Sequence, residues 1–377
     1  MIEIRRVLVV LFILVVAGSV TTPVMAIDTL QKDEKIGNND DFDIYEVKIN
    51  GSVKKIAFHK SLKPKERQAI ILKLKLFESY RGCRDYTNLF KDMDAKDIAL
   101  LIEAVNRAST LSTQEKNEIK KMITQIDTGK LSAEDQSKLV LKLLVVLQDY
   151  TMQFKGVSLK DLIEKTQTIE KDGKVSTKWV PGDHITLTKY ALQSLKNVWG
   201  FSISDSRINT ISSAADDPDY NSITHWDHYG DSAVNRVEEY SNDAKKYYSS
   251  GDISKGDYWT GYASHFLCDL GNPWHAVGLL QQDIFTHDYY EQWVHSNLGT
   301  WAEELSLDSL HWYVYSTPRV LAEDLKNIAA SKYDDLEWMI LHGGLEYYGD
   351  EMTAITCYLL EETVAYNMGL IDYTVVT

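Results

Sequence analysis

Cysteine is scarce in this chain. Cys83, Cys268 and Cys357 are the only three in 377 residues, which excludes a disulfide-stapled scaffold. Basic charge is also in short supply. Lys and Arg number 40 against 55 Asp and Glu, a formal net charge of −15. That balance argues against a polyanion as the main partner, because phosphate backbones are normally met by Lys and Arg. Long apolar runs are missing after the first 26 residues, so no later segment reads as a membrane span. No Gly-x-Ser-x-Gly elbow is present to supply a serine nucleophile. Histidine and tryptophan are nearly missing from the first half: His59 alone precedes His184, and all nine tryptophans lie at or beyond Trp179.

What is present falls into three parts. Arg5 and Arg6 precede an apolar run from Val7 to Ala17, and Val24-Met-Ala26 is a small-residue cleavage site, so residues 1–26 read as a signal peptide and the protein as secreted. Residues 27–178 read as a mainly helical N-terminal domain or propeptide. Alternation around Asn50-Gly51 predicts a β-hairpin from Phe42 to Phe58. Apolar residues at three- and four-residue steps predict helices over Lys65–Tyr80, Asp94–Ala108, Thr113–Ile126 and Ala133–Met152. Ser112 with Glu115, and Ser132 with Asp135, are capping-box-like starts for the last two. The turn near Asp172-Gly173 marks the expected boundary. At 44% hydrophobic and 25% charged, the whole has the composition of an ordinary globular protein.

Residues 179–377 carry the chemistry. His265 and Asp269 are four apart, as are His287 and Glu291, so on helices each pair shares a face. Gly271 and Pro273 end the first helix and let His275 turn back toward the same cavity. Imidazoles mixed with carboxylates, without thiolates, suit zinc in open, catalytic sites. A single such pair is common on solvated helix faces; three histidines and two acids around a helix-ending Gly-Asn-Pro are less ordinary. Upstream lie Trp179-x-x-x-x-His184, the acidic run Asp216-Asp217-Pro-Asp219, and His225-Trp-Asp-His228. Acid-rich loops with Pro are usually solvated turns. Cys268 projects away from Asp269 and reads as a core residue. His295, His311 and His342 read as supporting, packing or surface residues.

The pattern His265-x-x-x-Asp269-x-Gly-x-Pro273-x-His275 resembles the signature of zinc-dependent phospholipase C, whose fold is shared by the S1/P1 nucleases. Glu291, four residues after His287, resembles the phospholipase branch, whereas the Trp179–His184 spacing resembles the nucleases. The resemblance covers residues 179–377. It implies an all-α, multi-helix catalytic domain, here preceded by the smaller helical region with its hairpin. It also implies two to three zinc ions. His225, His265 and Asp269 would hold one, with Asp216 beside it as the catalytic acid that orients or deprotonates water; His275, His287 and Glu291 would hold a second. Asp269 would bridge to a third, held by His184 and by the amino group and carbonyl of Trp179, which requires removal of residues 27–178. His228 competes with His225, and Asp217 or Asp219 with Asp216. The implied reaction is hydrolysis of a phospholipid to diacylglycerol and a phosphorylated headgroup, with peripheral membrane contact and no nucleic-acid partner. A single-strand nuclease and a metal-stabilised, non-catalytic binding protein are the alternatives. Phospholipases place an aromatic directly after the acid; after Asp216 stands Asp217, which puts a choline-binding pocket in doubt.

Overall fold

The computed structural model describes residues 42–49, 51–79, 90, 93–126, 131–165, 182–220, 225–305 and 311–376. The expected signal peptide, Cys83, the expected turn at Asp172-Gly173 and Trp179 lie outside the described residues.

Strands β1 (Phe42–Ile49) and β2 (Ser52–His59) pair antiparallel with Ile49 opposite Ser52, as a tight hairpin requires. A third strand, β3 (His311–Tyr313), adds to the other edge of β2 with Ala57 opposite Trp312. Three residues carry no period of their own, so the sequence shows only helices in this region. Pairing with β2 is what makes them a strand.

Helices α1 (Pro64–Ser79), α2 (Ala95–Arg107), α3 (Thr113–Ile126), α4 (Ala133–Met152) and α5 (Leu159–Lys165) follow the hairpin. The α3 start is a reciprocal capping box: Ser112 N donates to Glu115 Oε2 at 2.8 Å, and Glu115 N to Ser112 Oγ at 3.3 Å. Beyond residue 182 come α6 (Asp183–Gln193), continued by a π turn Ser194–Val198, and α7 (Asp205–Ala214). Two 3-10 turns, Asp217–Asp219 and His225–His228, lead to α8 (Gly230–Ser249). The remainder is α9 (Ile253–Leu270), α10 (Pro273–Val277), α11 (Ile284–Leu305), α12 (Pro318–Ala330), α13 (Tyr333–Leu341) and α14 (Leu345–Ile371). The fold is all-α with one small sheet.

Two helices form the centre. Every residue of α9 from Thr260 to Leu270, and of α14 from Glu351 to Ile371, is buried. Helix α9 can lie this deep because Gly261 meets α7 directly: a Cβ there would stand 2.4 Å from Ile211 O. Gly271 is held the same way, since a Cβ would stand 2.0 Å from Thr363 Oγ1 of α14.

Buried acids on α14 need partners, and residues from both sides of the expected boundary supply them. Lys73 of α1 lies 2.9 Å from Glu361, which also accepts from Gln148 of α4 at 3.2 Å. Glu362 accepts from Tyr313 OH at 2.6 Å and from His311 Nε2 at 3.1 Å. Lys54 of β2 reaches Glu78 at 2.8 Å and Asp324 of α12 at 3.0 Å. All described residues fall within one compact unit. The described part of segment 27–178 therefore shares a sheet and a core with the helices that follow.

Candidate metal centre

Helix α9 brings His265 and Asp269 to one buried face, as their spacing requires. His265 Nδ1 donates to Ala215 O at 2.8 Å, at the end of α7. That bond fixes the tautomer, so in the neutral ring the Nε2 lone pair faces inward. Burial, and then the positive charge at His184, pull the pKa of His265 below its ordinary value, which keeps the ring neutral. Its Nε2 lies 3.3 Å from Asp269 Oδ2 and 3.0 Å from His228 Nδ1.

Asn272 explains the Gly-Asn-Pro stop. Its side-chain oxygen accepts from Trp274 N at 3.0 Å, capping α10, and Pro273 occupies the first helical position. Its amide nitrogen donates to Glu291 Oε1 at 2.9 Å. One side chain thus starts the helix that turns His275 inward and orients an acid on α11. His275 bridges the two halves of the site: Nδ1 lies 3.1 Å from Asp269 Oδ1, and Nε2 lies 3.1 Å from Glu291 Oε1. His287 Nε2 lies 2.9 Å from the same Glu291 oxygen. The Trp274 ring supports this wall, donating from Nε1 to Thr286 Oγ1 at 3.1 Å and stacking on Tyr290.

The third wall comes from α6 and the acidic loop. His184 Nε2 lies 3.2 Å from Asp269 Oδ1, and Nδ1 lies 3.5 Å from Asp219 Oδ2. Asp216 Oδ1 accepts from Gly182 N at 3.0 Å. His228 Nδ1 lies 2.9 Å from Asp269 Oδ2.

Four groups of donors, each with its ligand atoms within 4.8 Å of one another, result: His184, His265 and Asp269; Asp219, His228 and His265; His275, His287 and Glu291; His184, Asp216 and Asp219. The donor chemistry fits zinc, with imidazole nitrogens and carboxylate oxygens and no thiolate. Orphaned atoms point the same way. Glu291 Oε2 and His287 Nε2 are buried without a hydrogen-bond partner, although His287 Nε2 is so close to a carboxylate oxygen. Acceptor atoms crowded in this way repel unless a cation or a proton stands among them. Burial alone would raise the carboxyls of Asp269 and Glu291, but the surrounding histidines hold both below the ordinary range, Asp269 well below. Burial works against a proton on His275, yet Asp269 and Glu291 together push it up to about 10. The pocket demands positive charge, and zinc competes with protons for these lone pairs.

Of the residues singled out in the sequence, His184, Asp216, His265, Asp269, His275, His287 and Glu291 all enter the groups. Trp179 and the His225 side chain lie outside what is described. Two positions named only as competitors, His228 and Asp219, stand inside a group. Asn272 was passed over, although an Asn before a Pro at a helix start is a cap signature. A further pair also went unseen: half-exposed His295 holds buried Asp183, beside His184, at 3.0 Å. Cys268 is a core residue, receiving a contact from Asn367 Nδ2 at 3.1 Å, and burial pushes its thiol up to about 12.

No family model matches the chain. No curated protein matches it either. Among solved structures, an alpha toxin from Clostridium absonum is similar at 16% identity and a TM-score of 0.34, covering 54% of this chain and 66% of that one. An alpha-toxin of Clostridium perfringens, isolated from an avian strain, is similar at 14% identity and a TM-score of 0.36, with the same shares covered. The chain spans about two thirds of the length of each. At these scores the similarity carries no argument about function, which rests on the side chains themselves.

Proposed function

We propose that this protein is a zinc-dependent phosphodiester hydrolase acting on phospholipid in the manner of a phospholipase C. The observation that carries the reading is Asp269. Its two oxygens serve separate imidazoles, His184 and His275 on Oδ1 and His228 and His265 on Oδ2, within a pocket where these side chains are at most 1% exposed. Adjacent cation positions joined by a shared carboxylate suit a substrate whose reacting group is an anion.

Zinc held by these groups would supply positive charge for the phosphate oxygens and make a water acidic near neutral pH. The chain supplies the rest. Asp219, grouped with His228 and His265, would take the proton of that water in place of Asp216, one oxygen of which accepts from the Gly182 amide. Ala215 O and Asn272 lock His265 and Glu291 in the orientation that faces the substrate. Water adds to phosphorus, the bond from phosphorus to the glycerol oxygen breaks, and that oxygen leaves with a proton as diacylglycerol.

Exposed apolar side chains favour a lipid over a nucleic acid. Leu280, Ile284 and Phe285, at 89%, 62% and 61% exposure, all lie between His275 and His287 in the chain. Trp226 lies two residues before His228, and Tyr220 directly follows Asp219; both are exposed. With Asp219 as the acid, Tyr220 restores the aromatic that phospholipases place directly after it. Among the described residues no helix is long and apolar enough to cross a membrane.

The test is one assay on the purified protein with phospholipid vesicles, single-stranded DNA and a chromogenic phosphodiester. Release of phosphorylated headgroup with the DNA left intact is expected. Degradation of DNA without headgroup release would move the assignment to a nuclease, and zinc binding with no hydrolysis to a binding protein.

A further inference from the structure

We propose that the junction between the N-terminal elements and the helices that follow is a proton-operated latch. One proton on the buried Glu78 carboxyl holds β2 and α1 closed against α12 and α14, and its loss loosens that contact. The latch is separate from the metal centre and does not depend on the hydrolase reading.

Glu78 stands at the end of α1 with its side chain 8% exposed, and a single ammonium serves it. Lys54 Nζ of β2 lies 2.8 Å from Glu78 Oε2, 3.0 Å from Asp324 of α12 and 3.2 Å from Tyr366 OH of α14. Those three contacts use all three ammonium protons. Glu78 Oε1 is left buried with no hydrogen-bond partner. Asp324 is better supplied: it is 25% exposed and accepts from Tyr366 OH at 2.6 Å and from Tyr315 OH. Glu362 of α14 adds a third carboxylate, held by Tyr313 OH at 2.6 Å and His311 Nε2 at 3.1 Å.

The other groups around Glu78 bring it no charge. Lys332, just before α13, donates to the backbone oxygen of Phe77, and Lys73 is engaged with Glu361. Burial and the neighbouring carboxylates push the phenols of Tyr313, Tyr315, Tyr358 and Tyr366 well above their ordinary range, so they stay neutral. Glu78, Asp324 and Glu362 thus share one ammonium. The carboxyl that lacks both water and a second donor is Glu78, and a proton on Oε1 removes its charge where no cation can match it.

Burial raises the Glu78 carboxyl, Lys54 pulls it down, and Asp324 and Glu362 push it up again. The balance leaves it at about 7 against an ordinary 4.5. A carboxyl raised on folding stabilises the folded state fully below its unfolded value, and that contribution is lost as pH rises from about 4.5 through about 7. Glu361, with Lys73 and Lys155 beside it, has the opposite sign. The loss falls on the junction because Lys54, Glu78, Asp324 and Tyr366 come from four different elements. An unmatched charge among them is relieved by water entering between those elements.

Urea melts of the zinc-loaded full chain and of Glu78→Gln, from pH 5 to pH 9, test the latch. Gln places an N–H where the proton would sit. The unfolding equilibrium constant of the unsubstituted protein, relative to the variant, should rise at least about tenfold between pH 5 and pH 8. Amide exchange in β2 and at the end of α1 should match the variant's at pH 5 and outrun it at pH 8. Asp324→Asn leaves Lys54 to Glu78, so the alkaline loss should shrink there too, which keeps the test open if Glu78→Gln folds poorly. The same pH dependence in all three proteins would overturn the proposal. So would exchange that quickens evenly along the whole chain, since a latch acts at its own junction.

Discussion

Lys73 Nζ lies 2.9 Å from Glu361 Oε2, across 288 positions of sequence, with both side chains at most 8% exposed. The pair couples α1 to α14, whose residues from Glu351 to Ile371 are all buried. Burial would raise the Glu361 carboxyl, but Lys73 and then Lys155 hold it down to about 2.

Removing that lysine should therefore destabilise the whole protein. Lys73→Met leaves a buried carboxylate with Lys155 at 3.4 Å as its remaining cation. A loss of about 3 kcal/mol is expected, since breaking a buried pair from one side is costly. The sign with pH is fixed by the direction of the shift. A carboxyl whose pKa falls on folding contributes stability fully above its unfolded value of about 4.5, and that contribution is lost as pH falls toward about 2. Urea melts of both proteins at pH 7 and pH 3 should show a smaller difference at pH 3.

His228 and His225 should part company in metal content. His228 stands in a donor group with Asp219 and His265, so His228→Ala should lose one zinc and most turnover. His225→Ala should retain all its zinc. Elemental analysis after gel filtration reads the difference; zinc lost from His225→Ala and kept by His228→Ala would place the imidazoles the other way round.

Asn272→Ala should weaken zinc binding without touching a ligand. It frees Glu291 from a 2.9 Å hydrogen bond, and losses of about 10–100-fold in affinity are typical for such supporting residues. Competition with a graded chelator measures it. Glu291→Ala should abolish turnover outright, because it removes the acid that His275 and His287 share.

The exposed apolar residues should matter only at a lipid surface. The double variant Leu280→Ser with Phe285→Ser should bind vesicles more weakly and hydrolyse them at least several-fold more slowly. Its rate on a soluble chromogenic phosphodiester should not change. Equal losses on both substrates would show that these side chains support the pocket instead.

Stripping the metal should lower the melting temperature by several degrees. Anything that binds only the folded state stabilises it by an amount that grows with the logarithm of its free concentration relative to Kd. Here the loss is compounded by leaving Asp269 and Glu291 buried among histidines with no cation but protons. Differential scanning with and without chelator checks this, and re-addition of zinc should restore the transition.

Local spacing determined a good deal by itself. The helices at Thr113–Ile126 and Ala133–Met152 lie where their apolar period puts them, because a three- to four-residue period is a property of one segment. The pairs His265 with Asp269 and His287 with Glu291 are contacts one helical turn apart, at 3.3 Å and 2.9 Å, and a turn is fixed by backbone geometry alone. The hairpin of β1 and β2 was legible for the same reason.

Tertiary packing decided everything that depends on segments far apart in the chain. That His228 faces Asp269, and that Asp219 stands in a donor group with His265, turns on how a 3-10 loop sits against α9. No period within so short a loop can specify that. Strand β3 exists only because β2 offers it an edge. The carboxylates of Glu361 and Glu362 look like solvated charge in the sequence of α14; Lys73, Gln148, His311 and Tyr313 arrive from three other elements to make their burial tolerable. A charge can be buried only where its partners are, and the partners' positions belong to the fold.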